Sequence, residues 1–392
     1  MSLASVADRV RLTTTSRAIS WVCLLCALVL LLSSCGRPDR TATRRSTIAL
    51  CAPALPAAPY GYSDADTPIP RQFVASPVGT VIFADNTPPS NRTTNPGAEL
   101  GRVLFYDVRL SANDRIACAS CHQQSLGFGD TARFSSGFHG DHLARHTMAL
   151  ANARFYRYGF GWEGRGASME AQVLRPITDS IEMGIDPGAL ERKLAATSFS
   201  PGLFVGAFGS PEITRDRIAA ALAQFVRSLV SAQSRFDAVF ATGGAPNYSL
   251  FTQQELDGFH IFNSAGCVNC HRTIAQFADT VHNTGLDSAS ADTGSGQARF
   301  RAASLRNIAV RAPYMHDGRF ATLRQVVEFY TEQIRASPSL DARLRAADGS
   351  PRRLHLSAAQ GDALVAFLRT LTDTSFLRAT RFSDPFPCHQ RP

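Results

Sequence analysis

Two five-residue runs constrain this chain more than anything else in it: Cys118-Ala-Ser-Cys121-His122 and Cys267-Val-Asn-Cys270-His271. Cys-x-x-Cys-His is the attachment signature of c-type haem. Two thiols one helical turn apart can each bond a vinyl group of the macrocycle, and the histidine that follows points a ring nitrogen at the iron from the proximal side. Zinc is the competing use of paired cysteines, but a zinc ribbon keeps its two pairs ~15–20 residues apart. Here the whole segment from 122 to 266 intervenes. Cys118, Cys121 and His122, with Cys267, Cys270 and His271, therefore predict two covalent haems, with His122 and His271 as iron ligands.

A chain that carries two such groups must bury them, and the composition allows it. The chain has 392 residues, 44% of them hydrophobic, enough apolar surface to exclude disorder over most of its length. It is too long for one minimal cytochrome, and only one apolar run exceeds the length of a strand, which excludes a polytopic membrane protein. Net charge is +8. Lys193 is the only lysine and the arginines are scattered, with no basic stretch that could track a nucleic acid, so no nucleic-acid partner is expected.

The compartment is written at the start. Arg9, Arg11 and Arg17 precede an apolar run from Ala18 to Leu32, too short to span a bilayer comfortably at ~20 residues. A positive n-region, a short apolar h-region and small residues after it form an export signal. The segment ends Leu32-Ser-Ser-Cys35-Gly36 and resembles a bacterial lipobox, with lipid on Cys35. The other reading is an ordinary signal with a chance cysteine. Cys23 and Cys26 leave with the signal. Cys51 and Cys388 remain; in an oxidising compartment they can pair and pin the two ends of the mature chain, or stand as independent thiols.

Amphipathic runs place the helices. Glu99-Leu-Gly-Arg-Val-Leu-Phe105 and Glu255-Leu-Asp-Gly-Phe-His-Ile-Phe262 resemble each other, and each precedes a haem motif. This weak internal repeat fits two cytochrome-like units. Helices are also predicted from Thr214 to about Ala232, from Thr322 to about Glu332 and from Ser357 to about Leu371, the last two opened by capping boxes. Strand signals are few; the stretch Val78–Phe83 is one. The predicted fold is mainly α: two cytochrome c-like haem domains with long loops, preceded by an export signal and a disordered tether. The boundaries are a signal at 1–34, a Pro/Thr/Arg-rich tether at 35–96, haem domains at 97–243 and 244–375, and a tail at 376–392. The split between domains falls near Thr242–Asn247.

From about Gly97 to Thr372 the sequence resembles the bacterial di-haem cytochrome c peroxidase/MauG family. Between the haem motifs lie Phe160-Gly-Trp162-Glu-Gly-Arg165, Ser168-Met-Glu-Ala-Gln172 and Pro176-Ile-Thr-Asp-Ser-Ile-Glu182-Met-Gly184. The family patterns there are W-D-G-R, S-L-E-E-Q, and G-P-I with E-M-G. After the second motif come Leu305-Arg-Asn-Ile-Ala-Val-Arg-Ala-Pro-Tyr-Met-His-Asp-Gly318 and Thr322-Leu-Arg-Gln-Val-Val-Glu-Phe-Tyr330. They match L-R-N-V-A-L-T-A-P-Y, H-D-G and T-L-E-E-V-V-E-H-Y.

The resemblance implies an oxidoreductase that reduces hydrogen peroxide with electrons from a small cytochrome c or cupredoxin, on the periplasmic side of a bacterial membrane. The haem on His122 would be the peroxide site and that on His271 the electron-transfer site. Glu182 matches the family's distal acid, Gln172 its amide, and Trp162 the indole between the haems; Pro176 would shape the pocket. A carboxylate can move a proton between the peroxide oxygens if burial brings its pKa near neutrality. The other reading of Glu182 is a surface carboxylate.

His139 resembles the histidine that caps the first haem in resting peroxidases, against the reading of an exposed loop residue. Tyr330 falls where the MauG branch supplies a sixth ligand to the second haem, with Met315 the alternative. The resemblance also implies one calcium ion between domains, held by an Asn side chain and backbone carbonyls; the corresponding stretches are Arg145–Thr147 and Arg311–Pro313, whose carbonyls could remain ligands, with Asn152 a substitute for the Asn. Histidine and arginine suit a cation that wants oxygen poorly. Two other functions fit the motifs: a MauG-like oxidase acting on Tyr or Trp of a partner protein, favoured by Tyr330, and a non-enzymatic electron-transfer cytochrome, which would have no use for Glu182 and Gln172. A homodimer is compatible with all three.

Overall fold

The structure is a computed structural model and describes residues 50–74, 81–156, 159–241, 245–271 and 280–390. The expected signal, the Cys35 lipid site and part of the expected domain split lie outside the described residues. Among the described residues no helix is long and apolar enough to cross a membrane.

The chain is mainly α-helical, and its architecture is one helix pair used twice. Helix α1 (Asn95–Tyr106) starts where the Thr94 hydroxyl accepts from the Gly97 N–H, an N-cap that satisfies one of the orphan donors of the first turn. Between it and its partner come α2 (Met169–Thr178), α3 (Pro187–Ala195) and α4 (Ser200–Phe208). The partner, α5 (Arg215–Ser228), is capped by Thr214. Helix α6 (Gln253–Ser264) opens with the Thr252/Glu255 capping box. Its partner α8 (Ala358–Arg369) opens with Ser357/Gln360. Between these two lies α7 (Leu323–Glu328), which continues into a π-helical turn over Phe329–Gln333.

Both pairs cross at a glycine. A Cβ on Gly101 would lie 2.0 Å from the Ala221 carbonyl oxygen, and a Cβ on Gly258 would lie 2.0 Å from that of Ala363. Only glycine permits so close an approach of two helix backbones. One turn on, Phe105 meets Phe225 and Phe262 meets Phe367, each at 5.2 Å between ring centroids. The weak repeat in the sequence is thus a repeated helix crossing.

Two hydrophobic cores follow. The first gathers α1, α5, Phe128 and the α3–α4 region; the second gathers α6, α8 and α7. The only strands among the described residues, β1 (Val281–His282) and β2 (Phe300–Arg301), pair antiparallel. Val81–Ala84, in the stretch expected to be a strand, forms a 3-10 turn, and residues 78–80 lie outside the described set.

The flanking segments correct one expectation and decide between the two readings of Cys51 and Cys388. From Cys51 on, the described residues of the stretch expected as a disordered tether are part of the body. Tyr62 is buried in the first core and donates to Glu99 at 2.9 Å; Phe73 is buried in the second, edge-on to Phe155. Arg154 holds this segment through Asp64 and Asp85. The C-terminal tail likewise returns to the first core through Phe376, Phe382 and Phe386, and Cys51 and Cys388 form a disulfide. Proline-rich composition removes regular periodicity but leaves the aromatic side chains free to pack, and that is what happens here.

Candidate functional site

Each attachment motif forms the same turn. The His122 N–H donates to the Cys118 carbonyl, and the His271 N–H to the Cys267 carbonyl, both at 2.9 Å. Each turn opens onto its own cavity. One is lined by Cys118, Cys121 and His122, the other by Cys267, Cys270 and His271. Burial pushes the thiols up, Cys118 to about 12 and Cys121 and Cys267 to about 11.

His122 has the geometry of a proximal ligand. Its Nδ1 lies 2.9 Å from the Phe128 carbonyl oxygen. That atom can only accept, so Nδ1 carries the proton and Nε2 keeps its lone pair. Burial pulls the imidazole pKa down, opposed by the bond to Phe128, and favours this neutral, metal-binding form. The donor set, the ring orientation and the cavity fit a covalently held haem.

The far wall of the first cavity is polar. Gln172 sits in α2 and Glu182 in the loop that follows it, and both line the cavity with Pro176. The Gln172 Oε1 is buried and has no hydrogen-bond partner. Orphan acceptors of this kind are rare in folded proteins, and this one lies in a cavity wall. Pro176 interrupts the end of α2, because it has no N–H to return to residue 172. The loop then folds back: the Met183 N–H donates to the Pro176 carbonyl at 3.2 Å and the Ile185 N–H to that of Ile177 at 3.0 Å. Asp179 accepts from the N–H groups of Ile181 and Glu182. Glu182 is thereby fixed over the cavity. Burial, with help from Asp179 and against Arg175, pushes its carboxyl up to about 7.

The loop carrying His139 is tied to the same element. The Phe138 N–H donates to the Glu182 carbonyl at 3.0 Å, and a Cβ on Gly137 would collide with the Ile181 carbonyl oxygen. His139 itself is exposed and does not line the cavity.

The second cavity is more apolar where the first is polar. Tyr330, in the π-helical turn, and Met315, at φ 75°, both line it. π-Turns inside helices recur at functional positions because they rotate one side chain out of register. Burial raises the Tyr330 phenol pKa, and the two motif cysteines raise it further. Both candidate sixth ligands are therefore on the wall, packed in one small cluster with Phe329.

Trp162 lines both cavities. Its indole N–H donates to the His146 carbonyl at 2.7 Å, and the His146 N–H donates to the His316 carbonyl at 2.7 Å.

The side chains of the region where calcium was expected suit a cation poorly. Asn152 spends its side chain on the backbone of Ser231, donating at 3.0 Å and accepting at 2.8 Å. His146 Nδ1 is bonded to the Ala132 carbonyl at 3.0 Å, and Arg311 brings a buried positive charge. No group of three or more His, Cys, Asp or Glu side chains able to hold a metal ion occurs among the described residues. What sequence reasoning missed is the hydrogen-bonded chain from Trp162 through His146 to His316 and the isolation of the Arg311 guanidinium; neither leaves a local pattern.

Comparison with known proteins finds relatives of one kind. The family model for di-haem cytochrome c peroxidase matches residues 95–244. The chain is 36% identical over 298 residues to the methylamine utilization protein MauG of Methylorubrum extorquens, covering 72% of this chain and 80% of that protein. It is 34% identical over 243 residues to the cytochrome c551 peroxidase of Nitrosomonas europaea, covering 59% and 71%. Among solved structures, a MauG-like protein associated with microbial copper homeostasis superposes with a TM-score of 0.67 at 31% identity, covering 77% of this chain and 96% of that one.

Proposed function

The chain belongs to the di-haem cytochrome c peroxidase family, and on that premise we propose that it reduces hydrogen peroxide to water, at the periplasmic face of a bacterial membrane, with electrons from a small cytochrome c or cupredoxin. When bound, two haems supply the two electrons that peroxide cleavage requires, one each. Cys118, Cys121 and His122 hold the first, and Cys267, Cys270 and His271 the second. Calcium has no part in the proposal.

Glu182 carries the reading. A simple electron carrier has no use for a carboxyl held beside a haem cavity with its pKa raised to about 7. As a carboxylate it takes the proton from the inner oxygen of peroxide, and as the acid it returns that proton to the departing oxygen, which leaves as water. The Gln172 Oε1, buried and without a partner, accepts a hydrogen bond from the incoming peroxide and orients it. Trp162, on the wall of both cavities, carries electrons between them. Tyr330 would serve as a further protein ligand to the iron of the second haem, with Met315, in the same cavity wall, as the alternative.

One observation supports a second reading. Tyrosinate is a hard anionic ligand that stabilises oxidised iron and lowers the reduction potential, opposite in direction to methionine. A Tyr330-ligated haem suits an oxidase that takes electrons from Tyr or Trp of a partner protein, as the resemblance to the MauG branch implies. The test begins with holoprotein spectra at both redox levels, followed by hydrogen peroxide and a reduced cytochrome c donor. Rapid donor oxidation supports the peroxidase. A long-lived oxidised state with negligible donor oxidation supports the oxidase. Two low-spin haems inert to peroxide would exclude both.

A further inference from the structure

Arg311 stands apart from four other buried arginines. Arg102, Arg154, Arg227 and Arg306 are each buried against carboxylates: Glu99, Asp64 with Asp85, Glu170, and Asp237. Arg311 is only 8% exposed, yet no carboxylate pairs with it among the described residues. One Nη donates to the Ser304 carbonyl, and its Nε is buried with no partner at all. A buried cation left without a counter-charge is strongly unfavourable, so the site calls for an anion that the described residues do not supply.

The surroundings say where that anion is. Arg311 lines the same cavity as Cys267 and His271. A Cβ on Gly129 would sit 3.7 Å from that of Arg311, and Gly129 adjoins Phe128, whose carbonyl accepts the hydrogen bond from His122 Nδ1–H. The guanidinium therefore lies where the two haem-binding units meet. Haem c carries two propionate carboxylates, and a guanidinium presents a planar fork matched to a carboxylate.

We propose that Arg311 is the counter-ion of a propionate of the C-terminal haem. This rests on the reading of Cys267–His271 as a haem attachment site and adds a residue that positions and tunes that haem. It also gives the meeting point of the two units a fixed positive charge, which repels a divalent cation. This chain accordingly uses a guanidinium in the region where calcium was expected.

The experiment uses the holoprotein and two variants, Arg311→Met, of similar length but neutral, and Arg311→Lys, which keeps the charge. Haem content of the wild type comes first, from the pyridine haemochromogen assay and intact mass. Fewer than two haems per chain would overturn the attachment reading itself, a result distinct from failure of the Arg311 proposal. Midpoint potentials follow by spectroelectrochemistry. Losing a nearby positive charge favours ferric iron, so Arg311→Met is expected to shift the C-terminal haem to lower potential and the other haem less, with Arg311→Lys close to wild type. A doubly loaded Arg311→Met protein with unchanged potentials overturns the proposal. If Arg311→Met does not fold, loading of both haems at wild-type potential by Arg311→Lys sustains it, and failure of both variants overturns it. Elemental analysis of the wild type is expected to find no stoichiometric calcium, with haem spectra unchanged by EGTA; a calcium whose removal alters the spectra also overturns it.

Discussion

The two haem cavities are built on the same frame and finished differently. In each, a helix pair crosses at a glycine, a phenylalanine pair packs one turn on, and a Cys-x-x-Cys-His turn opens onto the space below. The difference lies in the opposite wall. At the first cavity, α2 and its loop bring an orphan amide oxygen and a carboxyl with a raised pKa. At the second, a π-helical turn brings the Tyr330 phenol, and a separate loop brings the Met315 thioether. The shared frame presents the same attachment motif to each cavity, and in the proposed function the inserted wall sets the chemistry: proton transfer beside the first cavity and electron storage beside the second.

The frames also differ in how they are closed, and the largest expected effect tests this. The first core borrows Phe376, Phe382 and Phe386 from the far end of the chain and is stapled by Cys51–Cys388. Replacing Cys388 by Ser should cost ~2–5 kcal/mol, since the bridge closes a very long loop. Thermal unfolding followed at each haem should show the His122 site lost first. Simultaneous loss at both sites would mean that the two cores melt as one.

Next is the chemical wall. Glu182→Gln should lower the rate of the first haem's reaction with peroxide by ~100-fold or more and leave the second haem's spectrum as it was. Stopped-flow absorbance reads both, and an unchanged rate removes Glu182 from the mechanism.

The shared frame predicts a smaller, symmetric effect. Gly101→Ala and Gly258→Ala each force a Cβ onto a facing carbonyl and should destabilise by ~1–3 kcal/mol, the usual cost of overpacking. Denaturant titration of the two variants should give similar losses; a loss confined to one would break the equivalence of the crossings.

The smallest effect is in pH. Burial raises the Glu182 carboxyl to about 7, so the carboxylate that accepts the peroxide proton is scarce below that pH and abundant above it. The peroxide rate should rise with pH through about 7 and then level off, and the Glu182→Gln protein should lack this bend.

Much of this was legible in the chain. The haem motifs, the helix caps at Thr214, Thr252, Thr322 and Ser357, and the order of Trp162, Gln172, Glu182 and Tyr330 are local patterns, and local patterns survive without knowledge of the fold. His139 was not decided locally: its loop is fastened to Glu182 by backbone hydrogen bonds, and the ring is left in solvent. The supposed tether was misread because aperiodic, proline-rich sequence conceals packing, while Tyr62 and Phe73 find their partners far along the chain.

By itself, then, the sequence determined the two haem attachment motifs, the helical class and the residue types that line each cavity, because attachment motifs and helix caps depend on neighbours in the chain. Tertiary structure alone decided which side chains share a wall, that Trp162 borders both cavities, that the C-terminus completes the N-terminal core, and that Arg311 is buried without a counter-charge. These are facts of long-range packing and of desolvation, and no spacing in the sequence encodes either.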